Sequence, residues 1–263
     1  MKRIGMLLVC LAFFLLPCGA AEKETSGSCG VNISWRLEDG VLTISGSGEM
    51  HNYIDRAPWS DSRNEITALV LEPGVTNLGD RAMQACENLQ WVSIGPDVTA
   101  LGRYAFDGCT ALKEITIPDT VTKIDGSCFR NCTGLSSVRL PEGLTAIPNE
   151  CFYGCEALTE LPWSESLQTI GEEAFCASGL TEVILPDTVT QVGTDAFGGT
   201  PVVRARLSAG CENWKETFLT CDQLEYVEIP YGVQRLDTVF SGCSALETVA
   251  LPESVVSISG CFS

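Results

Sequence analysis

The chain has 263 residues, 45% hydrophobic and 19% charged, a globular composition long enough for one large domain or two small ones. Its formal net charge of −18 argues against nucleic acid and anionic membranes as partners, because both would repel it. Fourteen Cys against a single His make the thiols the side chains most in need of explanation.

The first 20 residues read as a secretory signal. Lys2 and Arg3 form a positive start, and Ile4 to Leu16 is apolar but too short to span a membrane comfortably. Gly19-Ala20-Ala21 supplies small residues for cleavage after Ala20 or Ala21. Lipidation at Cys18 ranks lower, because Pro17 stands where a small residue is needed. No Asp or Glu precedes Glu22, so losing this +2 segment takes the charge from −18 to −20. No later run resembles a membrane-spanning helix or a wall-sorting signal, so the expectation is a secreted or cell-surface protein.

Residues 21–65 read as an N-terminal β cap and connection. Glu22 to Ser28 is polar and expected to be loose. Val31, Ile33, Trp35 and Leu37 alternate onto one face, Asp39-Gly40 signals a tight turn, and Val41 to Ser45 returns. Such a hairpin is not stable alone, so it is expected to cover the apolar end of the domain that begins near residue 66. Gly46 to Glu65 is an irregular connection containing Ala57-Pro58-Trp59 and the lone His51.

From residue 66 to 263 a block of 21–23 residues recurs about nine times. A small residue precedes a large apolar one at Ala82-Met83, Ala105-Phe106, Cys128-Phe129, Cys151-Phe152, Ala174-Phe175, Ala196-Phe197, Thr217-Phe218, Val239-Phe240 and Cys261-Phe262. A fixed period of this length means a solenoid, in which each coil buries its apolar side against its neighbours. Within a coil, Ile115 and Ile117 point inward, and Pro118 ends the strand, as do Pro96, Pro141, Pro186, Pro230 and Pro252. Val121 and Ile124 turn inward again, and the Cys128-Phe129 segment makes a short helical or irregular turn opposite. Inward pairs from Leu69/Leu71 to Val249/Leu251 predict nine strands in one parallel sheet, roughly 40 Å long at ~4.8 Å per strand. Two units depart from the pattern: Pro162 and Trp163 interrupt one strand, and Val202 to Trp214 carries Arg204 and Arg206 without the closing proline. No polar C-terminal cap is visible. The last coil is then partly bare, covered by a partner, paired with another copy of the chain, or the remainder of a longer protein.

Cys86, Cys109, Cys132, Cys155, Cys221 and Cys243 fall at one repeat position, which Ser178 and Thr200 fill between them. Interchange with Ser and Thr favours a file of buried free thiols over disulfides, and hence an oxidant-poor setting. The Cys-x3-Cys spacing of Cys128/Cys132 and Cys151/Cys155 is wrong for zinc, and no cofactor is expected. Cys29 and Cys211 lie outside the file.

The outward strand positions form two columns that make the candidate ligand-binding face: Trp91, Glu114, Glu160, Glu182, Arg204 and Tyr226 in one, Arg139, Ile184, Arg206 and Glu228 in the other. Outward Trp, Tyr, Ile and Arg suit protein contact. Catalysis finds little support. Glu160 and Glu182 on adjacent coils are spaced like a glycosidase pair, but repeats place acids in columns by default. His51 lacks a triad motif, and Gly46-Ser47-Gly48 lacks the Lys and helix of a phosphate loop. Asp97, Asp119, Glu142 and Asp187 recur at strand exits, too few per point for a strong calcium site.

The unit Cys-x2-Leu-x2-Ile-x-Ile-Pro-x2-Val-x2-Ile, followed by Ala-Phe and the next Cys, resembles the BspA-type leucine-rich repeat. The stretch with Cys29-Gly30, Trp35, Leu42-Thr43-Ile44-Ser45-Gly46-Ser47-Gly48 and Ala57-Pro58-Trp59 resembles the cap of such proteins. The resemblance implies a right-handed leucine-rich-repeat solenoid of the α/β repeat type, exported by a bacterium, and a non-catalytic scaffold for host or neighbouring-cell proteins. The alternatives are a glycan-binding or carbohydrate-active protein using the same face, and a truncated remnant of a larger surface protein.

Overall fold

The computed structural model describes residues 24–262; the signal-peptide reading lies outside them. The chain winds as a parallel β-solenoid with little helix; the one helix among the described residues is a 3-10 helix, Ser60–Glu65. Strands Ile33–Glu38 and Val41–Gly46 form the expected hairpin. Its turn places Asp39 at φ 47 and Gly40 at φ 79, the left-handed pair a two-residue hairpin needs. Strand Val41–Gly46 then pairs in parallel with Ala68–Leu71, so the cap continues the solenoid's own sheet.

Two cap expectations are corrected. Ser26–Ser28 is not loose but pairs antiparallel with the first hairpin strand; its main chain bonds although its side chains have nothing to bury. Val31 is 90% exposed, because the strand begins only at Ile33.

The single nine-strand sheet is also corrected. The long-strand side is a row broken into segments. Ala68–Leu71 and Trp91–Ser93 continue the cap sheet, Glu114–Thr116 pairs with Ser137–Arg139, and Glu182–Ile184, Arg204–Arg206 and Tyr226–Glu228 form a third group. Residues 160–163 and 248–250 are not strand. Pro162 explains the first of these, since it has no N–H to give. A second row, unforeseen, runs beside the first. Its nine short strands group as Asn77–Leu78 with Ala100–Leu101 and Lys123–Ile124, Ala146–Ile147 with Thr169–Ile170 and Gln191–Val192, and Asn213–Lys215 with Arg235–Asp237 and Ser257–Ser259. The unit without the closing proline keeps its register. Ser208 takes that place, buried, with its Oγ donating to Val189 O at 2.6 Å.

The turn side carries the core. Met83 and seven phenylalanines from Phe106 to Phe240 are buried. From Phe106 to Phe262 the rings stack coil on coil, with centroids 5.2–6.2 Å apart. On each side of the aromatic sits a left-handed residue. Arg81, Tyr104, Ser127, Glu150, Glu173, Asp195, Glu216 and Thr238 precede it by two at φ 47–58. Ala85, Gly108, Asn131, Gly154, Ala177, Gly199, Thr220 and Gly242 follow it by two at φ 54–77. This conformation is costly for most residues. It turns three peptide units per coil the same way, so that each N–H donates to the next coil. Phe106 N–H donates to Cys128 O at 2.8 Å, Phe129 to Cys151 at 2.9 Å, and Phe152 to Ala174 at 2.8 Å, with parallel files at the two left-handed positions. The first coil's carbonyls find donors in the cap: Tyr53 N–H reaches Asp80 O at 3.1 Å and Trp59 Nε1 reaches Ala82 O at 2.8 Å.

Inward strand positions pack as expected up to Ile229, with Val92, Ile94, Leu140 and Trp163 only partly buried. In the last coil Leu251 is 47% exposed against expectation, since no later coil among the described residues covers it.

Candidate functional site

Strand alternation puts nine of the ten candidate residues on the outer face, and Glu160 is exposed from a stretch that is not strand; all are exposed except half-buried Arg206. The third strand group gathers six of them. Glu182, Arg204 and Tyr226 stand side by side in one column, and Ile184, Arg206 and Glu228 in the next. Trp91 belongs to the segment continuous with the cap, Glu114 and Arg139 to the two-strand segment, and Glu160 to the unpaired stretch. Trp91, Tyr226 and Ile184 are 53%, 51% and 43% exposed, so each keeps apolar area in water.

Every arginine of this face is matched within it. Arg139 forks onto both oxygens of Asp119 at 3.0 and 3.3 Å. Arg206 bonds Asp187 at 2.9 Å and Glu228 at 3.3 Å. Arg204 lies 5.3 Å from the Tyr226 ring centroid and 3.9 Å from the Glu182 carboxylate, too far for a hydrogen bond. Glu114 and Glu160 have no ion-pair partner among the described residues. The strand-exit acids have a structural use that explains their recurrence. Asp97 accepts from Gly74 N–H at 2.8 Å, Asp119 from Glu142 N–H at 3.1 Å, and Asp187 from Ala209 N–H at 2.9 Å, bracing neighbouring coils. The Glu142 N–H and the Arg139 guanidinium hold the Asp119 carboxyl below its ordinary range. For Asp187 the Arg206 guanidinium leads, followed by the Ala209 N–H.

Two depressions mark the breaks in the strand row. The first, about 670 Å3, is lined by polar side chains including Gln90, Lys113, Glu114 and Ser136, beside the break between Trp91–Ser93 and Glu114–Thr116. The second, about 350 Å3, is lined by Glu160, Leu161, Pro162, Trp163, Glu182 and Ile184. Pro162 and Trp163 stood out in the sequence as a broken strand, but a break does not reveal a dent. Trp163 is half-buried, edge-on to Phe175 at 5.4 Å and Phe197 at 6.2 Å.

The thiols form the expected file, and it has a hydrogen-bond logic. Cys109 Sγ donates to Met83 O at 3.2 Å, and Cys132, Cys155, Cys221 and Cys243 donate to Phe106, Phe129, Phe197 and Phe218 O at 3.1 Å. Thr200 instead bonds Phe197 O of its own coil at 2.7 Å, the carbonyl that Cys221 also reaches; Ser178 Oγ is buried without a partner. Burial pushes the Cys86 and Cys155 thiols up to about 12, and those of Cys109, Cys128, Cys132 and Cys151 well above their ordinary value. Groups so firmly protonated are donors and space-fillers, not nucleophiles or metal ligands. Cys29 and Cys211 are likewise free and buried. Among the described residues no group of three or more His, Cys, Asp or Glu is placed to hold a metal, and no helix is long and apolar enough to cross a membrane. His51 is exposed in the cap connection, its N–H bonded to Cys29 O at 2.8 Å.

Residues 60–161 and 145–263 match the BspA type leucine rich repeat region, in six copies. No curated protein matches the chain. Among solved structures, a leucine rich cell surface protein from Faecalibacterium prausnitzii A2-165 shares 21% identity over 91% of this chain and 86% of its own, with a TM-score of 0.54. A leucine rich repeat protein from T. pallidum shares 24% identity over 82% and 88%, with a TM-score of 0.49.

Proposed function

The chain belongs to the BspA-type leucine-rich repeat family, and from that premise we propose that it is an exported, non-catalytic scaffold that holds protein partners on the outer face of its strand row. The partners are proteins of a host or of neighbouring cells, and the work is adhesion or recognition at the surface. Family members are repeat scaffolds, and a protein of the same fold is described as a cell surface protein.

The observation that carries the reading is the outer face itself. A face that only needed to stay hydrated would not leave Trp91, Ile184 and Tyr226 each more than two-fifths exposed in line with charged neighbours. Open depressions with self-matched arginines suit holding better than turnover, which needs groups converging on a reacting atom.

The test is capture of partners from host extracellular proteins and from the surface proteins of neighbouring bacteria, using wild type and the Trp91→Ala/Tyr226→Ala variant. Loss of the captured proteins with the variant is the expected result. Capture unchanged by both substitutions removes the binding role from this face.

A further inference from the structure

We propose that the depression at the broken strand is a seat for one long cationic side chain, Arg or Lys, of an extended protein partner. This rests on the reading of the outer face as a protein-binding surface and deepens it by naming what anchors there.

The chemistry of the lining makes the case. Leu161, Pro162, Trp163 and Ile184 give a largely apolar floor, and Glu160 and Glu182 stand in adjacent coils beside it. A carboxylate pair next to an apolar shelf fits a side chain whose methylene stem is greasy and whose head is charged. No shorter or uniformly polar side chain uses both parts.

The dent has its origin in the sequence. Pro162 gives no hydrogen to the neighbouring coil, and among the described residues no backbone hydrogen bond joins 160–163 to either flanking strand. The row opens there, and the Trp163 ring is left half-buried rather than sealed. About 350 Å3 of space results, open to solvent on the proposed binding face.

Charge also favours a cation. Arg139, on the strand before the break, and Arg206, paired with Ile184 from the strand beyond it, are turned onto Asp119 and onto Asp187 and Glu228. Arg204 is drawn over Tyr226, and its 3.9 Å approach to Glu182 leaves that carboxylate without a hydrogen bond. Glu160 has no ion-pair partner among the described residues. What remains for an incoming group is negative, in a protein whose formal charge is already −18.

The probe is a blocked octapeptide, Ser-Gly-Arg-Ser-Gly-Arg-Ser-Gly, with citrulline replacing both arginines as the neutral isostere. Binding is measured by amide chemical shifts and Trp fluorescence of the purified protein at low salt. The arginine peptide is expected to move the amides of Glu160, Leu161, Trp163 and 182–184, and the citrulline peptide to bind several-fold more weakly. Glu160→Gln/Glu182→Gln is expected to lower affinity for the arginine peptide about 5-fold, the sum of two exposed ion pairs, with unchanged thermal unfolding. Equal binding of the two peptides, shifts spread over all acidic loops, or unaltered affinity in the double variant would overturn the proposal. If the Trp91→Ala/Tyr226→Ala variant still loses its captured proteins, the binding face stands and only the cationic seat falls.

Discussion

The two sides of each coil are built on different terms. On the strand side the backbone row is repeatedly broken, and its outer side chains alternate between acids, arginines and isolated apolar groups. On the turn side Met83 N–H through Phe218 N–H run without a gap from coil to coil, over a stack of phenylalanines. The lesson is a division of labour. One side keeps the coils in register, so the other can tolerate a proline in mid-strand, unpaired acids and open depressions.

The largest test of that contrast is Phe129→Ala. Removing one ring from the stack should cost about 3–5 kcal/mol in denaturant unfolding, as for other buried Phe truncations. A cost near that of a surface change would mean the turn side does not carry the fold. Hydrogen exchange should separate the sides next. The amides of Phe129 and Phe152 should exchange on the order of a hundredfold more slowly than those of Leu140 and Trp163, which have no inter-coil bond among the described residues. Equal protection would erase the distinction.

A smaller effect should sharpen it. Ser178→Cys returns a thiol to a position in the file where the side-chain oxygen is buried without a partner. By the geometry of Cys155 it should reach Phe152 O and stabilise the protein by about 1 kcal/mol, read from the unfolding midpoint. Smallest of all, Trp91→Ala/Tyr226→Ala should change stability by no more than about 0.5 kcal/mol while abolishing partner capture. A larger loss would mean the outer face is part of the scaffold rather than free for use.

The turn side was the more legible in the sequence. The small-large pairs ending in Met83 and Phe106 to Phe262 stand at nearly constant spacing, and Ser178 and Thr200 betray the thiol file by replacing Cys in it. Asp39-Gly40 announces its turn because few other pairs accept two positive φ values. The second strand row was hidden, since strands such as Lys123–Ile124 are two residues long and two residues carry no alternation. Ser26–Ser28 was hidden for a related reason: its Gly and Ser side chains say nothing about a pairing made wholly by backbone. The break after Trp91–Ser93 has no proline to mark it. The depressions depend on how neighbouring coils sit, which no single repeat encodes.

The one-way donation on the turn side gives the solenoid an electrical axis. Peptide dipoles joined head to tail add, as they do in an α-helix, but here each N–H points to the next coil, so the carbonyl end lies at the first coil and the amide end at the last, the opposite sense to a helix. Glu150, Glu173, Asp195 and Glu216 therefore stand toward the positive pole, while Arg81, Arg103 and Arg130 lie nearer the negative one. Each charge is at the end where such a field favours it. The acidity of the later coils thus runs with the backbone's own field.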